Sequence, residues 1–131
     1  MTNSATLSKP LDASLLRILE QEAQTRKSQN LLKYYRPYTK QKEFHHQLVR
    51  ERLLMAGNQL GKTVAGAYEM AFHLTGLYPD WWQGHRFTKE IAAWAGSVST
   101  LATRDTVQRL VCGRPGKLGT GAVPKALITD S

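Results

Sequence analysis

The sequence has little cysteine, no long apolar run and a shortage of acids, and these absences exclude several classes of protein. One cysteine, Cys112, in 131 residues cannot form an intrachain disulfide framework and supplies too few thiols for a zinc cluster. No apolar run reaches the roughly 20 residues that a membrane-spanning helix needs. The polar N-terminus also lacks the apolar stretch of a secretory signal. We therefore expect a protein of a reducing cytoplasm with no membrane partner.

The charge balance is strongly basic. Eighteen Lys and Arg residues stand against ten Asp and Glu residues, which gives a net charge of +8. Such a balance favours polyanionic partners, that is, nucleic acid, nucleotides or a phospholipid surface. Charge alone does not choose among these partners, and a cationic domain without any of them stays an alternative.

The first part of the chain is predicted to be helical. Residues 1–10 are polar, and a helix is expected to begin at Asp12, which is a typical N-cap residue. Pro37 is expected to end the segment, because the residue before a proline is displaced from helical backbone angles. We predict an N-terminal helical lead-in over residues 1–36 and a second unit over residues 37–131. The apolar positions at helical spacing are Leu15, Leu16, Leu19, Ala23, Leu31 and Leu32.

The second unit alternates between strand and helix patterns. A helix capped by Thr39 is followed by an apolar strand over residues 52–56, a glycine-rich turn and a helix that runs to Gly76. A second apolar strand over residues 91–96 precedes a helix that Ser99 or Thr100 caps. The remaining tail, rich in glycine and proline, is predicted to be mostly loop. This order predicts an α/β fold with a parallel sheet, of which two strands are present.

The turn between the first strand and its helix carries a phosphate-binding pattern. It matches G-x-x-x-x-G-K-[ST] except that Ala56 replaces the first glycine. Backbone N–H groups of such a loop surround phosphate oxygens, and the following helix adds its positive dipole end. Lys62 is predicted to reach the β- and γ-phosphates as the catalytic cation, and the Thr63 hydroxyl to bind Mg²⁺. The alternative is an ordinary strand–turn–helix corner. The predicted phosphate-binding residues are Gly57, Asn58, Gln59, Leu60, Gly61, Lys62 and Thr63.

A second candidate site precedes the loop. Tyr38 offers an aromatic ring that can stack on a base, and the Gln41 amide can pair with the N6 and N7 edge of adenine. Gln41 lies twenty residues before Gly61. A short helix and a strand within these twenty residues can fold back on each other and bring Gln41 close to Gly61. The alternative is that the tyrosines of this segment pack against the N-terminal helix.

These motifs together resemble a known family. The stretch RPYTKQKEFHHQLVRERLLMAGNQLGKTVAGAYEMAFHLTGLYPDWW is similar to the start of the ATPase domain of tailed-bacteriophage terminase large subunits. The resemblance extends over about residues 35–130. The P-loop is shared by many NTPases, whereas the combination of the upstream YxxQ segment, GNQLGKT and LTGLYPDWW is more specific.

The resemblance implies a partial RecA-like P-loop NTPase sheet, in the order strand, P-loop, helix, strand and helix, after an N-terminal helical segment. It implies a motor that uses ATP and Mg²⁺ to package double-stranded DNA into procapsids. The expected partners are the small terminase subunit and the portal, in a homo-oligomeric ring in the bacterial host cytoplasm. It places Mg-ATP at Lys62 and Thr63 and adenine at Tyr38 and Gln41. Some relatives have an arginine where this chain has Asn58, and the candidates to replace it are Arg104, Arg109 and Arg114.

Parts of the ATPase pattern are missing from the sequence. The stretch over residues 126–130 ends in a single acid, Asp130, and is too short for the acidic strand end that holds Mg²⁺ and the attacking water. The family's nuclease domain is absent too. We therefore expect a truncated, catalytically incomplete chain that hydrolyses ATP poorly or not at all. The alternatives are another P-loop NTPase, of helicase-like or partition type, and a non-catalytic basic remnant that binds DNA by charge alone.

Overall fold

The computed structural model describes residues 12–59 and 61–129, in which several short helices pack against one central helix, Lys62–Thr75. The helices are α1 (Ala13–Gln29), α2 (Leu31–Tyr34), α3 (Thr39–His45), α4 (Lys62–Thr75), α5 (Thr100–Ala102), a π-helical segment (Thr103–Gln108) and α6 (Arg109–Val111). The strands are β1 (Gly113–Arg114) and β2 (Lys117–Leu118), and a 3₁₀ helix (Lys125–Leu127) follows. None of the described helices is long and apolar enough to cross a membrane.

Helix α4 is the central element, and its sequence explains both of its ends. It begins after Gly61 and ends at Gly76, which has a left-handed φ of 68° and donates its N–H to the Phe72 carbonyl at 2.9 Å. A glycine in this conformation is a common helix terminator, because it carries no Cβ to oppose a positive φ. The predicted helix up to Gly76 is therefore confirmed.

The core forms around two faces of α4. One face carries Ala67, which shares a small cavity with Val107 and Val111. The other carries Phe72, whose ring meets Trp82 at a centroid distance of 5.4 Å. The buried apolar core comprises Leu32, Tyr35, Ala67, Ala71, Phe72, Trp82, Val111, Ala122 and Val123, with Cys112 partly buried against it.

The N-terminal segment is helical where the structure describes it. Helix α1 begins at Ala13, directly after the predicted N-cap Asp12, and continues through its polar middle to Gln29. No residue of α1 is buried. The helix is interrupted at Asn30 and ends at Tyr34, before Pro37 as predicted. The prediction for residues 1–10 lies outside the described residues.

The two predicted strands are not paired in the described structure. Residues 52–56 and 91–96 have no strand assignment, and the sheet found among the described residues is the two-stranded pair β1–β2. A strand exists only where a neighbour takes up its backbone N–H and C=O groups, and these two segments have no such neighbour. Leu53 and Met55 are each 81% exposed and Trp94 is 95% exposed. The RecA-like sheet therefore stays a prediction.

The tail contains a hairpin that the sequence analysis treated as loop. β1 and β2 are antiparallel, with Gly113 opposite Leu118 and Arg114 opposite Lys117. The Pro–Gly pair between them suits a tight turn, because Gly116 has a φ of 76°. Backbone bonds from Ala122 to Leu110 at 2.7 Å and from Val123 to Val111 at 2.8 Å then anchor the following loop to α6. The hairpin is fixed to the core.

Gly116 in the hairpin turn and Gly119 directly after β2 give a matched test of this packing. We expect Gly119→Ala to lower the free energy of unfolding by about 2 kcal/mol or more, because φ is +86° and a Cβ there would lie 2.6 Å from Lys125 Cα. Gly116→Ala is the control: its φ is +76° but no atom lies within 4 Å of the added Cβ. It should cost only about 1–2 kcal/mol of backbone strain. Urea midpoints measure both, and equal losses would contradict the packing.

Candidate nucleotide site

The glycine-rich turn places backbone donors at the start of α4. Gln59 and Gly61 have positive φ angles of 61° and 74°, and the helix begins at the next residue, Lys62. A left-handed residue followed by a helical one turns successive N–H groups to the same side, which forms an anion-binding concavity. No side chain caps the first turn of α4. The N–H groups of that turn thus suit an external anion. Leu60 lies outside the described residues.

The Lys62 side chain folds over the loop. Its ammonium donates to the carbonyls of Ala56 and Gly57, the latter at 2.7 Å. The cation therefore lies at the mouth of the concavity, within the same turn that supplies the N–H groups. A phosphate bound there would meet both the backbone donors and the ammonium. Asn58 follows directly in this turn and is exposed.

The Gln41 side chain ties helix α3 to the loop. Gln41 is 5% exposed. Its Oε1 accepts the Tyr38 N–H at 2.8 Å. This is the hydrogen bond that the N3 side chain of a capping box makes with the backbone of the N-cap residue. Its Nε2 donates to the Gly61 carbonyl at 3.0 Å. Thr39, predicted to cap a helix over residues 40–51, is instead the first residue of α3, which has Tyr38 at its N-cap position and ends at His45. The predicted fold-back of Gln41 onto Gly61 is confirmed.

A cavity of about 850 Å³ lies between α3 and the chain that enters the loop. Tyr38, Gln41 and Lys62 all line it, so the structure brings both predicted adenine-binding residues and one predicted phosphate-binding residue, Lys62, to one space. The other described phosphate-binding residues, Gly57, Asn58, Gln59, Gly61 and Thr63, do not line this cavity. Tyr38 is 75% exposed, which leaves its ring free to stack. The alternative, that the tyrosines of this segment pack on the N-terminal helix, does not hold for Tyr35, whose ring stacks on Tyr68 of α4 at a centroid distance of 4.1 Å.

Thr63 is the residue predicted to hold Mg²⁺. It is exposed in the first turn of α4, next to Lys62, and lies at the small cavity that also contacts Ala95 and Gly96. Among the described residues no group of three His, Cys, Asp or Glu side chains is arranged to hold a metal ion. The donor set fits a Mg²⁺ held by one hydroxyl together with phosphate oxygens, which is how this ion binds in phosphate sites. Asp130 lies outside the described residues.

A buried carboxylate connects both sides of the loop. Glu69 of α4 is 5% exposed and accepts hydrogen bonds from His45 Nδ1 at 2.8 Å and from Arg52. Arg52 lies four residues before Ala56, and Glu69 lies in the helix that follows the loop. The Arg52 guanidinium also donates to the Phe44 carbonyl at 3.0 Å. This ion pair therefore joins the chain that enters the loop to the helix that leaves it.

Two tyrosine hydroxyls complete the Glu69 network. Tyr35 Oη lies 3.1 Å from His45 Nε2, and Tyr78 Oη lies 2.9 Å from His73 Nδ1. The Tyr78 oxygen also accepts the Phe87 N–H, so its own proton is directed to His73. His73 Nε2 then faces Glu69 at 3.5 Å. Each histidine thus presents an N–H to the carboxylate.

The surroundings of Glu69 keep it ionised. Burial by itself raises the pKa of this carboxyl, but hydrogen bonds from His45, His73 and Arg52, with the charge of Arg52, outweigh burial and lower the pKa to about 2. Burial and the neighbouring Tyr68 and Glu69 raise the pKa of Tyr35, which keeps its hydroxyl protonated. The network therefore holds one buried negative charge between donors.

The sequence analysis did not identify Arg52, Glu69 or His45 as parts of the site. The available signal was an acid within the apolar side of a helix, since Glu69 lies four residues after Ala65 and three before Phe72. Such an acid requires a buried partner.

The other candidates lie apart from the cavity. Arg104 pairs with Asp105 at 2.9 Å, and neither Arg109 nor Arg114 lines the cavity beside Lys62.

Comparisons with known proteins show the family of the chain. A family model described as the N-terminal part of the T4-like-virus type of terminase large subunit matches residues 53–130. The chain is also 40% identical over 129 residues to the terminase large subunit of Salmonella phage P22, a match that covers 85% of this chain. The chain belongs to the terminase large subunit family. It spans about a quarter of the length of that relative, 26%. No solved structure matches.

The Glu69 network predicts a specific pH dependence. At neutral pH, Glu69→Gln should lower the free energy of unfolding by about 3 kcal/mol, because the partly buried Arg52 loses its buried counter-charge. The folded-state pKa of Glu69 lies below its ordinary value of 4.5. Its stabilising contribution is therefore complete above about pH 4.5 and lost as the pH falls towards 2. The difference in the free energy of unfolding between the wild type and Glu69→Gln should therefore narrow between pH 4.5 and pH 2, as measured by urea titrations.

Glu22→Gln is the matched control for this measurement. Glu22 faces Arg26 at 3.6 Å with both side chains exposed, and such pairs contribute about 0–1 kcal/mol. A gap for Glu69→Gln that stays constant from pH 7 to pH 2, or one as small as that of the control, would contradict the buried network.

Proposed function

We propose that this chain is the ATP-binding N-terminal part of a terminase large subunit, the motor that packages double-stranded DNA into procapsids. The observation that carries the proposal is the shared cavity, because it brings Tyr38, Gln41 and Lys62 together beside a phosphate-type loop. These residues come from two separate motifs of the sequence. The family membership of the chain supports the same function.

The cavity and the turn beside it suit different parts of ATP. The N–H groups at the start of α4 and the Lys62 ammonium suit the β- and γ-phosphates. The apolar lining contributed by Phe44 and Leu54, with the exposed ring of Tyr38, suits a base. The volume of about 850 Å³ is within the range of small-molecule sites.

Gln41 has hydrogen-bonding capacity left for the base. Its Oε1 has used one of two lone pairs on Tyr38, and its Nε2 has used one of two protons on Gly61. One donor and one acceptor therefore remain for the N6 and N7 edge of adenine. The same side chain would then contact the base and support the loop.

Mg²⁺ would supply positive charge that neutralises the β- and γ-phosphate oxygens during transfer. Thr63 is the residue of this chain that would hold it. We propose that Lys62 stabilises the charge on the transferred phosphate. As part of the larger motor, the chain would work with the small terminase subunit and the portal in a homo-oligomeric ring in the host cytoplasm.

Lys62→Ala tests the phosphate site. Titration of the chain with a fluorescent ATP analogue and Mg²⁺ should show saturable binding that the variant weakens at least tenfold, because the ammonium supplies a charge-assisted hydrogen bond worth about 1.5–3 kcal/mol. Lys89→Ala is the control, since Lys89 is exposed and outside the cavity. Equal affinity of Lys62→Ala and Lys89→Ala would contradict the proposed site.

Gln41→Ala separates the two roles of that side chain. We expect it to weaken binding of inorganic tripolyphosphate about tenfold, because the Gly61 carbonyl is no longer supported, and to weaken binding of the ATP analogue by more than that, because the contact with the base is lost too. Gln47→Ala is the matched control: Gln47 lines the same cavity but bonds only within its own segment, to the Glu43 carbonyl. A loss confined to the ATP analogue would contradict a role for Gln41 in positioning the loop.

A further inference from the structure

The basic residues of the chain are concentrated in two stretches without acids. Residues 23–42 hold six Lys and Arg residues, and residues 106–129 hold four. Together they contain ten of the eighteen basic residues and none of the ten acids. The charge of the chain is therefore carried by these two stretches, while the remaining residues are close to neutral.

The fold brings these two stretches together. A cleft of about 540 Å³ lies between the end of α1 and the hairpin, where it is lined by Gln29, Lys117, Thr120 and Lys125. A second cleft of about 410 Å³ continues from it and is lined by Arg26, Gln29, Asn30 and Lys125. Gln29 and Lys125 border both. The two clefts thus form one groove, which we name the basic groove.

The cations of the basic groove are available to a partner. Within residues 12–59 and 61–129, neither Lys117 nor Lys125 has a carboxylate within 4.0 Å. Arg26 has only the exposed pair with Glu22, which is weak in water. None of the groove residues lines the nucleotide cavity.

The base of the groove is rigid although its cations are exposed. The Gly119 N–H donates to the Cys112 carbonyl at 2.7 Å, and Thr120 Oγ1 donates to the Lys117 carbonyl at 2.8 Å. Gly119, Ala122 and Val123 are buried. The backbone that carries Lys117 and Lys125 is thus held in place, so that less conformational freedom is lost when a ligand binds.

We propose that the basic groove binds the phosphodiester backbone of double-stranded DNA. Its cations alternate with neutral hydrogen-bonding side chains, Gln29, Asn30 and Thr120, and this mixture is typical of contacts to phosphate and sugar oxygens. A groove of two successive clefts suits a linear polyanion better than a single phosphate. The contacts are to the backbone, so binding is independent of base sequence. The groove is a site separate from the nucleotide cavity.

Charge removal in the groove tests the proposal. We compare the double variant Lys117→Gln/Lys125→Gln with the control Arg17→Gln/Lys89→Gln, which removes the same charge at exposed positions outside the groove. Binding of a short labelled DNA duplex is followed by fluorescence anisotropy over a series of salt concentrations. The groove variant should bind about tenfold more weakly at low salt. The plot of the logarithm of the association constant against log[salt] has a negative slope. The magnitude of this slope should be smaller by about one to two in the groove variant, because each phosphate that is no longer neutralised reduces it by about 0.9.

The control and two further readouts make the result decisive. The control should change affinity less than twofold and leave the salt slope unchanged. Circular dichroism and urea midpoints should match among the three proteins. Equal losses in both variants would mean that net charge alone binds DNA and would overturn the groove. Stronger binding of the wild type to anionic phospholipid vesicles than to DNA, abolished in the groove variant, would overturn the choice of partner.

The same variants distinguish this proposal from the proposed function. Binding of the fluorescent ATP analogue should be unaffected in the groove variant, because Lys117 and Lys125 lie outside the nucleotide cavity. Lys62→Ala should keep its affinity for DNA. A loss of DNA binding in Lys62→Ala as large as that in the groove variant would contradict two separate sites.

Discussion

The arrangement of the loop depends on one buried carboxylate. Glu69 is held by Arg52 from the chain before the loop and by His45 from helix α3. Without these donors the charge would be too costly to bury. With them, three segments distant in sequence are fixed around the first turns of α4. Gln41, also on helix α3, donates to the Gly61 carbonyl. The loop is therefore held by the Glu69 network at its two flanks and by Gln41 at its last residue.

The two proposed binding surfaces differ in the interactions that they offer a ligand. The nucleotide cavity is partly apolar and presents few, well-placed polar groups, as a site for a small ligand does. The basic groove presents several cations without acids, as a site for a long polyanion does. The proposed motor, which would move DNA with ATP, would require both kinds of surface.

The sequence predicted the elements whose signals are local. The start of α4, its end at Gly76, the proximity of Gln41 to Gly61 and the interruption of the first helix before Pro37 all follow from short patterns. The strands over residues 52–56 and 91–96 depend on partners along a sheet, which local patterns cannot supply. The Glu69 network was missed because it joins residues up to 43 positions apart, from Tyr35 to Tyr78. Tertiary ion pairs of this kind leave only one trace, an acid on an apolar helix face.

The central claim is that the turn before α4, supported by Gln41 and Glu69, binds phosphate. Two-dimensional ¹H–¹⁵N NMR spectra with increasing ATP and Mg²⁺ test it most directly, because each loop amide reports for itself. The account predicts saturable shifts of the Gly57, Gly61, Lys62 and Thr63 amides, while those of the hairpin over residues 113–118 stay unchanged. Unchanged loop amides, or shifts confined to the hairpin, would contradict it.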